Sequence, residues 1–227
     1  MKSAVITFPG SNCDRDMDVA LKKFGFKNKM VWHQDIELPK SDLVVLPGGF
    51  SYGDYLRCGS MASKSKIMQS VINFANSGGM VMGICNGFQI LVETGLVPGV
   101  LLRNKYLEFI CKNVFVKISD KDNAYFKNIK NNILELHIAH NEGNYFCTND
   151  QLKEIEDNSQ VAINYCSNDG KIDQPFNPNG SIKNIAGIFN KKKNVLGMMP
   201  HPERMIDPSL SGEDGSLFFK NLINNIK

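Results

Sequence analysis

The chain reads Met82-Gly83-Ile84-Cys85-Asn86-Gly87-Phe88 at the point where an apolar run ends and a helical pattern begins. A cysteine with a glycine two residues to either side, at a turn from strand to helix, is typical of a nucleophile elbow that carries a thiol. Such a turn leaves room only for small flanking residues, and Gly83 and Gly87 meet that requirement. The turn also brings the Cys85 thiol over the free N–H groups of the helix, where positive charge favours the thiolate. We therefore expect a reactive cysteine at the tip of a strand.

The alternative for Cys85 is a small hydrophobic side chain buried in the core, as is usual for a free cysteine. A catalytic thiol also needs a base, and the chain has four histidines that could supply it. His201 follows an apolar run and lies between prolines, in Met199-Pro200-His201-Pro202-Glu203. Proline favours an extended backbone, in which residues two apart face the same way. Glu203 can then accept a hydrogen bond from His201 and fix its orientation. We expect Cys85, His201 and Glu203 to form a triad, and the alternative is a proline-bounded surface loop.

Strand-like and helix-like patterns alternate in the first half of the sequence. Repeated strand-helix-strand units predict a mostly parallel central sheet with helices on both faces. The second half has strand patterns with few helices between them, which predicts antiparallel additions. The length suits one sizeable core, so we expect a single α/β domain over residues 1–227. The predicted strands are 3–8, 30–32, 43–46 and 80–84 in the first half, then 109–118, 133–140, 161–165, 185–189 and 195–199.

In parallel sheets, ligands bind beyond the carboxyl ends of the strands. Gly48-Gly49-Phe50 follows one predicted strand and Cys85 follows the next. We expect the backbone N–H of Asn86, with Gly49 and Phe50 of the neighbouring loop, to hold an oxyanion, because glycines allow close approach. Gly48 and His140 are expected to line the substrate pocket. The alternative for the glycines is a simple tight turn.

Composition argues against several classes of function. Hydrophobic residues make up 42% and charged residues 22%, and no apolar run is long enough to span a bilayer. The short apolar stretch near the N-terminus is not a signal-peptide core, so we expect a cytoplasmic chain that does not bind membranes. Net charge is +3, and the only compact basic run, 191–193, is typical of a hairpin turn, so we expect no nucleic-acid partner.

No metal site is predicted. The six cysteines include no C-x-x-C pair, which argues against a zinc knuckle. His137 and His140 lie three apart in a predicted strand and would point to opposite faces, so one metal ion could not readily bind both.

These motifs resemble a known family. Residues 83–89 together with His201-Pro202-Glu203 resemble the class I (triad) glutamine amidotransferases, whose Cys, His and Glu correspond to Cys85, His201 and Glu203. Two further stretches are similar to the glutaminase subunits of phosphoribosylformylglycinamidine synthase, namely Phe8-Pro9-Gly10-Ser11-Asn12-Cys13-Asp14 and Pro47-Gly48-Gly49-Phe50-Ser51-Tyr52-Gly53-Asp54-Tyr55-Leu56-Arg57-Cys58-Gly59. The resemblance extends from Phe8 to Arg204. One departure is Asn141, where the family typically has glycine, although asparagine tolerates a left-handed backbone.

The resemblance implies a flavodoxin-like fold and hydrolysis of glutamine, with the ammonia passed to a large synthetase subunit accompanied by a small accessory subunit. It also implies that Gln89 contacts the glutamine substrate, whereas the alternative for Gln89 is an exposed helix residue. No G-x-x-x-x-G-K-[ST] phosphate loop is present, so we expect no cofactor on this chain, with ATP and Mg on the synthetase.

Two alternatives remain open. An amidotransferase could serve another acceptor, such as pyridoxal phosphate or histidine synthesis, and segment 50–57 argues against it. A non-catalytic module could use Cys85 as a redox-sensitive thiol. The presence of both His201 and Glu203 argues against that module, because a sensor thiol needs no paired base.

Overall fold

The computed structural model describes residues 1–54, 58–209 and 211–226. The strands are β1 (Lys2–Thr7), β2 (Lys27–Trp32), β3 (Leu43–Leu46), β4 (Met80–Ile84), β5 (Val100–Leu102), β6 (Ile110–Ile118), β7 (Ile133–His140), β8 (Asn144–Phe146), β9 (Val161–Cys166), β10 (Ile185–Phe189) and β11 (Val195–Met198). The helices are α1 (Cys13–Lys23), α2 (Cys58–Ser63), α3 (Lys66–Asn76), α4 (Asn86–Glu93), α5 (Asn149–Asp157) and α6 (Asp214–Asn225).

One large sheet organises the described part of the chain, with nine strands in the order β2-β1-β3-β4-β11-β10-β9-β6-β7. The first five strands of that order are mutually parallel, and the remaining pairings are antiparallel. All residues of β3 are buried, as expected of a central parallel strand with both faces covered. The predicted α/β class, a mostly parallel sheet with antiparallel additions, is confirmed.

The last strand of the sequence, β11, has two different neighbours. It pairs antiparallel with β10 through the predicted hairpin turn at 191–193. On its other edge it pairs parallel with β4, with Met198 opposite Ile84. Strand patterns alone did not predict this second pairing, because the partners lie more than a hundred positions apart. Its consequence is that the residues after β11 emerge beside the residue after β4.

Several elements were not predicted from the sequence. Helix α5 begins with a capping box, in which the Thr148 side chain accepts from the N–H of Gln151 at 3.2 Å, and the Gln151 side chain accepts from the N–H of Thr148 at 3.0 Å. A threonine followed three residues later by glutamine was therefore a usable signal. Strands β5 and β8 form a separate two-stranded sheet. No helix in the described ranges has both the length and the apolar character that a membrane crossing requires.

Candidate active site

Cys85 occupies the turn between β4 and α4 with φ 50° and ψ −102°. A left-handed φ at a non-glycine residue is strained, and such strain clusters at functional sites. The flanking glycines are required by close contacts. A Cβ on Gly87 would lie 1.9 Å from the carbonyl oxygen of Leu46, and one on Gly83 would lie 2.6 Å from the carbonyl oxygen of Gly87. The predicted strand-to-helix turn at Cys85 and its need for small neighbours are thus confirmed.

Backbone hydrogen bonds fix the elbow on both sides. The N–H of Cys85 donates to the carbonyl oxygen of Met198 at 2.8 Å, and the carbonyl of Cys85 accepts from the N–H of Gln89 at 3.1 Å. The Cys85 thiol is 3.6 Å from the carbonyl oxygen of Ala139, at the end of β7. Cys85 is only 6% exposed, so its side chain is buried. Its position is the N-cap of α4.

His201 and Glu203 form a buried pair. Nδ1 of His201 lies 2.6 Å from Oε1 of Glu203, and the two residues are 1% and 2% exposed. The predicted contact is present, but the extended backbone expected for it is wrong. Residues Pro202–Arg204 form one 3-10 turn, with Pro202 at its first position, where the missing N–H is not needed. The turn brings the carboxylate back under the imidazole.

Gly48 lies beside both Cys85 and the imidazole of His201. A Cβ at this position would be 2.6 Å from Cε1 of His201 and 3.4 Å from Cβ of Cys85. The structure therefore brings Cys85 and His201 against the same glycine. Nε2 of His201 is buried and has no hydrogen-bond partner among the described residues, so it can exchange a proton with a reacting group.

The loop after β3 lies beside this cluster. Gly49 has φ 120°, and a Cβ there would lie 2.5 Å from Oδ1 of Asn12. Phe50 is 43% exposed and stacks on Phe109 with ring centroids 6.3 Å apart. Asn86, the residue after Cys85, is buried in the first turn of α4. Gly48, which precedes Gly49 in this loop, and Asn86 both adjoin Cys85, and the oxyanion role of Gly49, Phe50 and Asn86 stays a prediction. Residues 55–57 of the motif that follows this loop lie outside the described residues.

Gln89 is buried, so the alternative of an exposed helix residue is wrong. It is 8% exposed, and its Oε1 accepts from Nδ2 of Asn86 at 2.6 Å. Its Nε2 donates to the carbonyl oxygen of Glu142 at 3.0 Å. Gln89, Glu142 and Arg103 line a cavity of about 410 Å³. Arg103 and Glu142 carry opposite charges 3.8 Å apart at its wall.

His140 lies deep in the structure at the end of β7. Its Nδ1 is 3.0 Å from Oδ1 of Asn104, and its ring packs against Gly143, where a Cβ would come within 2.4 Å. Burial, and then the charge of His201, lower the pKa of His140 to about 3. The ring is therefore neutral at physiological pH. Asn141 does not adopt a positive φ, so the departure from the family's glycine needs no left-handed backbone.

His137 faces away from His140, as the strand geometry predicts. The burial of β7 alternates along the strand, with His137 partly exposed and His140 buried. Nδ1 of His137 lies 3.0 Å from Oδ1 of Asn113, and its carbonyl oxygen accepts from the N–H of His201 at 2.8 Å. His137 thus positions the backbone of the His201 segment.

Cys13 is a residue of the site that sequence reasoning did not assign. Its sulfur, a ring nitrogen of His201 and a carboxylate oxygen of Glu203 lie within 4.8 Å of one another. Such a set could hold a metal ion, but His201 and Glu203 are hydrogen-bonded to each other, and Nη2 of Arg204 donates to the Cys13 sulfur at 3.1 Å. A guanidinium on one ligand opposes a second cation. The expectation of no metal site stays a prediction.

Comparison with known proteins agrees with this geometry. Residues 1–212 match the CobB/CobQ-like glutamine amidotransferase domain. The chain belongs to this amidotransferase family. Its high identity to curated synthase subunits also confirms the resemblance to the glutaminase subunits of phosphoribosylformylglycinamidine synthase.

Two curated relatives and one solved structure cover almost the whole chain. The amidotransferase is 80% identical over 227 residues to the phosphoribosylformylglycinamidine synthase subunit PurQ of Pelagibacter ubique (strain HTCC1062), covering 100% of both chains. It is 50% identical to the PurQ subunit of Gloeobacter violaceus (strain ATCC 29082 / PCC 7421), covering 98% of this chain and 97% of the relative. A chain in the structure of PurLQS from Thermotoga maritima is 39% identical with a TM-score of 0.87, covering 100% of this chain and 99% of that one.

Proposed function

We propose that this chain hydrolyses glutamine to glutamate and ammonia and delivers the ammonia to a synthetase subunit that makes phosphoribosylformylglycinamidine in de novo purine biosynthesis. The observation that carries the proposal is the meeting of Cys85 and the His201–Glu203 pair at Gly48, inside a nucleophile elbow. Identity of 80% over the full length with a subunit of that synthase supports the same acceptor.

The thiolate of Cys85, paired with His201, attacks the side-chain amide carbon of glutamine. The resulting oxyanion is held by the N–H of Asn86 and by the Gly49-Phe50 loop. His201 then protonates the departing nitrogen, the C–N bond breaks, and ammonia leaves behind a glutamyl thioester. Water attacks the thioester and gives a proton to His201, the C–S bond breaks, and glutamate departs as the thiolate re-forms. Glu203 orients the imidazole and stabilises its protonated form through the 2.6 Å hydrogen bond.

The substrate pocket in this proposal extends from Cys85 towards Gln89. Gly48 forms the floor next to the thiol, where a side chain would occupy the space taken by His201. Gln89 and His140 are the polar side chains proposed to contact glutamine, and both are buried near the elbow. We place all of these functions in one glutamine amidotransferase domain spanning residues 1–227.

The partners follow from the same proposal. A large synthetase subunit binds ATP and Mg and receives the ammonia, and a small accessory subunit completes the complex. No cofactor is assigned to this chain, and the site of action is the cytoplasm. The presence of a 39% identical chain in the structure of PurLQS from Thermotoga maritima supports assembly with other subunits.

Glutamate release by the co-purified complex tests the proposal. Glutamine hydrolysis is measured for the wild type, for Cys85→Ser and for Cys166→Ser, which changes a buried cysteine of β9. We expect the Cys85 variant to lose at least about 10³-fold in kcat and the Cys166 variant to stay within about twofold of the wild type. An assembled wild-type complex that releases no glutamate would favour the non-catalytic module. Release that supports no amidine formation would favour a different acceptor.

A further inference from the structure

Among the described residues, only one oxygen of the buried Glu203 carboxyl group has a hydrogen-bond partner. Its Oε1 bonds to His201, but its Oε2 is buried with no hydrogen-bond partner among the described residues. A buried carboxylate with an unpaired oxygen is costly unless a positive charge lies nearby. The next residue in the chain, Arg204, supplies such a charge, although its guanidinium makes no hydrogen bond to Glu203 in the described structure.

The sulfur of Cys13 contacts the guanidinium and lies close to the buried pair. Nη2 of Arg204 donates to it at 3.1 Å, and the sulfur lies within 4.8 Å of ligand atoms of both His201 and Glu203. Its own S–H donates to Oδ1 of Asn12 at 3.7 Å, which leaves the sulfur lone pairs to accept from Arg204. The thiol is 3% exposed at the first residue of α1, so its position is fixed by packing.

Asp16 holds the other side of the guanidinium. Its Oδ2 accepts from Nε of Arg204 at 3.4 Å, one turn along α1 from Cys13. The guanidinium of Arg204 is therefore hydrogen-bonded to two residues of α1 and not to Glu203. This arrangement joins the N-terminal motif, to which the proposed reaction assigns no role, to the triad.

Burial and the surrounding charges determine the protonation state of the Cys13 thiol. Burial, and then the charge of Glu203, raise the pKa of Cys13 to about 12, although Arg204 acts in the opposite direction. Burial opposes ionisation of Arg204, but its interactions with Cys13, Glu203 and Asp16 together raise its pKa. At neutral pH Arg204 is therefore a guanidinium and the Cys13 sulfur beside it is uncharged.

We propose, building on the proposed function, that Cys13 and Arg204 are positioning residues for the His201–Glu203 pair. The neutral sulfur of Cys13 holds the guanidinium near enough to stabilise the Glu203 carboxylate electrostatically. It also keeps the guanidinium from forming a direct ion pair with that carboxylate. A direct ion pair between Arg204 and Glu203 would be bidentate and strong. It would draw the carboxylate away from His201 and weaken the base.

The test uses the co-purified complex and a readout that needs no turnover, the rate at which iodoacetamide alkylates Cys85 as a function of pH, followed by mass spectrometry. In Arg204→Met a positive charge is lost, so the pKa of nearby acidic groups rises. We expect the acid limb of the Cys85 alkylation profile to move up by about 0.5–1 pH unit. In Cys13→Ala the guanidinium comes closer to the pair, so we expect a shift of the opposite sign, downward, and a fall of about tenfold in glutaminase kcat, with KM nearly unchanged.

Two controls separate positioning from folding. Cys13→Ser keeps a small acceptor for Arg204 and should restore most of the kcat lost in Cys13→Ala. Cys147→Ala removes an equally buried cysteine, 3% exposed, that follows β8 and should leave the pH profile in place. Superimposable alkylation profiles for the wild type, Arg204→Met and Cys13→Ala would overturn the proposal. Alkylation profiles that shift in a complex without glutaminase activity would refute the proposed function and retain the positioning.

Discussion

The N–H of Cys85 donates to the carbonyl oxygen of Met198 at 2.8 Å, so the elbow is bonded directly to the last residue of β11. His201 follows three residues later, after the strand has ended. The parallel pairing of β4 with β11 thus determines the separation of thiol and imidazole. Rigid strands are better supports for such a pair than loops, because reacting groups must be held within fractions of an ångström.

The backbone strain at Cys85 predicts that a glycine variant is more stable than an alanine variant, the reverse of the usual order. Cys85→Ala and Cys85→Gly both remove the thiol, but only glycine adopts φ 50° without strain. We expect the glycine variant to have the higher free energy of unfolding, by about 1 kcal/mol, whereas glycine is the less stable choice at ordinary positions. Urea denaturation of both variants measures the difference. An alanine variant as stable as the glycine variant would show that the elbow is not strained.

Close packing at Gly87 predicts a large effect of one methyl group. Because a Cβ there would meet the Leu46 carbonyl at 1.9 Å, Gly87→Ala forces β3 and α4 apart. We expect a loss of about 3 kcal/mol or more in the free energy of unfolding. Gly95→Ala is the matched control, since Gly95 has φ 70° but nothing within 4 Å of the added atom, and should cost about 1 kcal/mol. Equal losses would contradict the contact.

The hydrogen bond between His201 and Glu203 predicts a loss of rate without a loss of binding. Glu203→Gln keeps the shape of the side chain but removes the charge that stabilises protonated His201. We expect kcat for glutamine hydrolysis to fall by at least about 10², with KM changed by less than about threefold. Steady-state kinetics of the complex check this, with the exposed Glu37→Gln as control. A loss in kcat below about threefold would remove Glu203 from the mechanism.

Burial of His140 predicts a dependence of stability on pH. Its pKa is lowered to about 3, whereas in the unfolded chain it takes up a proton near pH 6.5. Its contribution to stability is therefore complete above pH 6.5 and is lost as the pH falls from there towards 3. We expect His140→Gln to reduce this fall by up to about 1.4 kcal/mol per pH unit. Urea denaturation between about pH 7 and 5 tests it, and identical slopes in both proteins would contradict it.

The parts of the site that were predictable from the sequence are those where chemistry constrains neighbouring residues. An elbow needs small residues at fixed offsets from Cys85, and an orienting carboxylate can lie two positions from its histidine. Those local rules were sufficient for the triad prediction. The same rules gave the wrong backbone at 201–203, because a proline that excludes a helix interior is also well placed at the start of a 3-10 turn.

Long-range contacts were beyond the reach of local patterns. Cys13 and Arg204 are 191 positions apart, and no periodicity connects them. The burial of Gln89 depends on the loop at Glu142, which lies 53 positions away along the chain. Helix α5 was missed for a different reason. Its capping signal was present, but it lies among strand-like segments whose pattern dominated the interpretation.

Capture of the covalent intermediate is the decisive test of Cys85 as the nucleophile. The assembled complex is mixed with radiolabelled glutamine, quenched in acid during turnover and digested, and the labelled peptide is identified. We expect a thioester label on the peptide that contains Cys85 in the wild type and none in Cys85→Ser. Steady glutamate release by the wild type with no label on that peptide, or with label on another cysteine, would show that Cys85 does not attack the substrate.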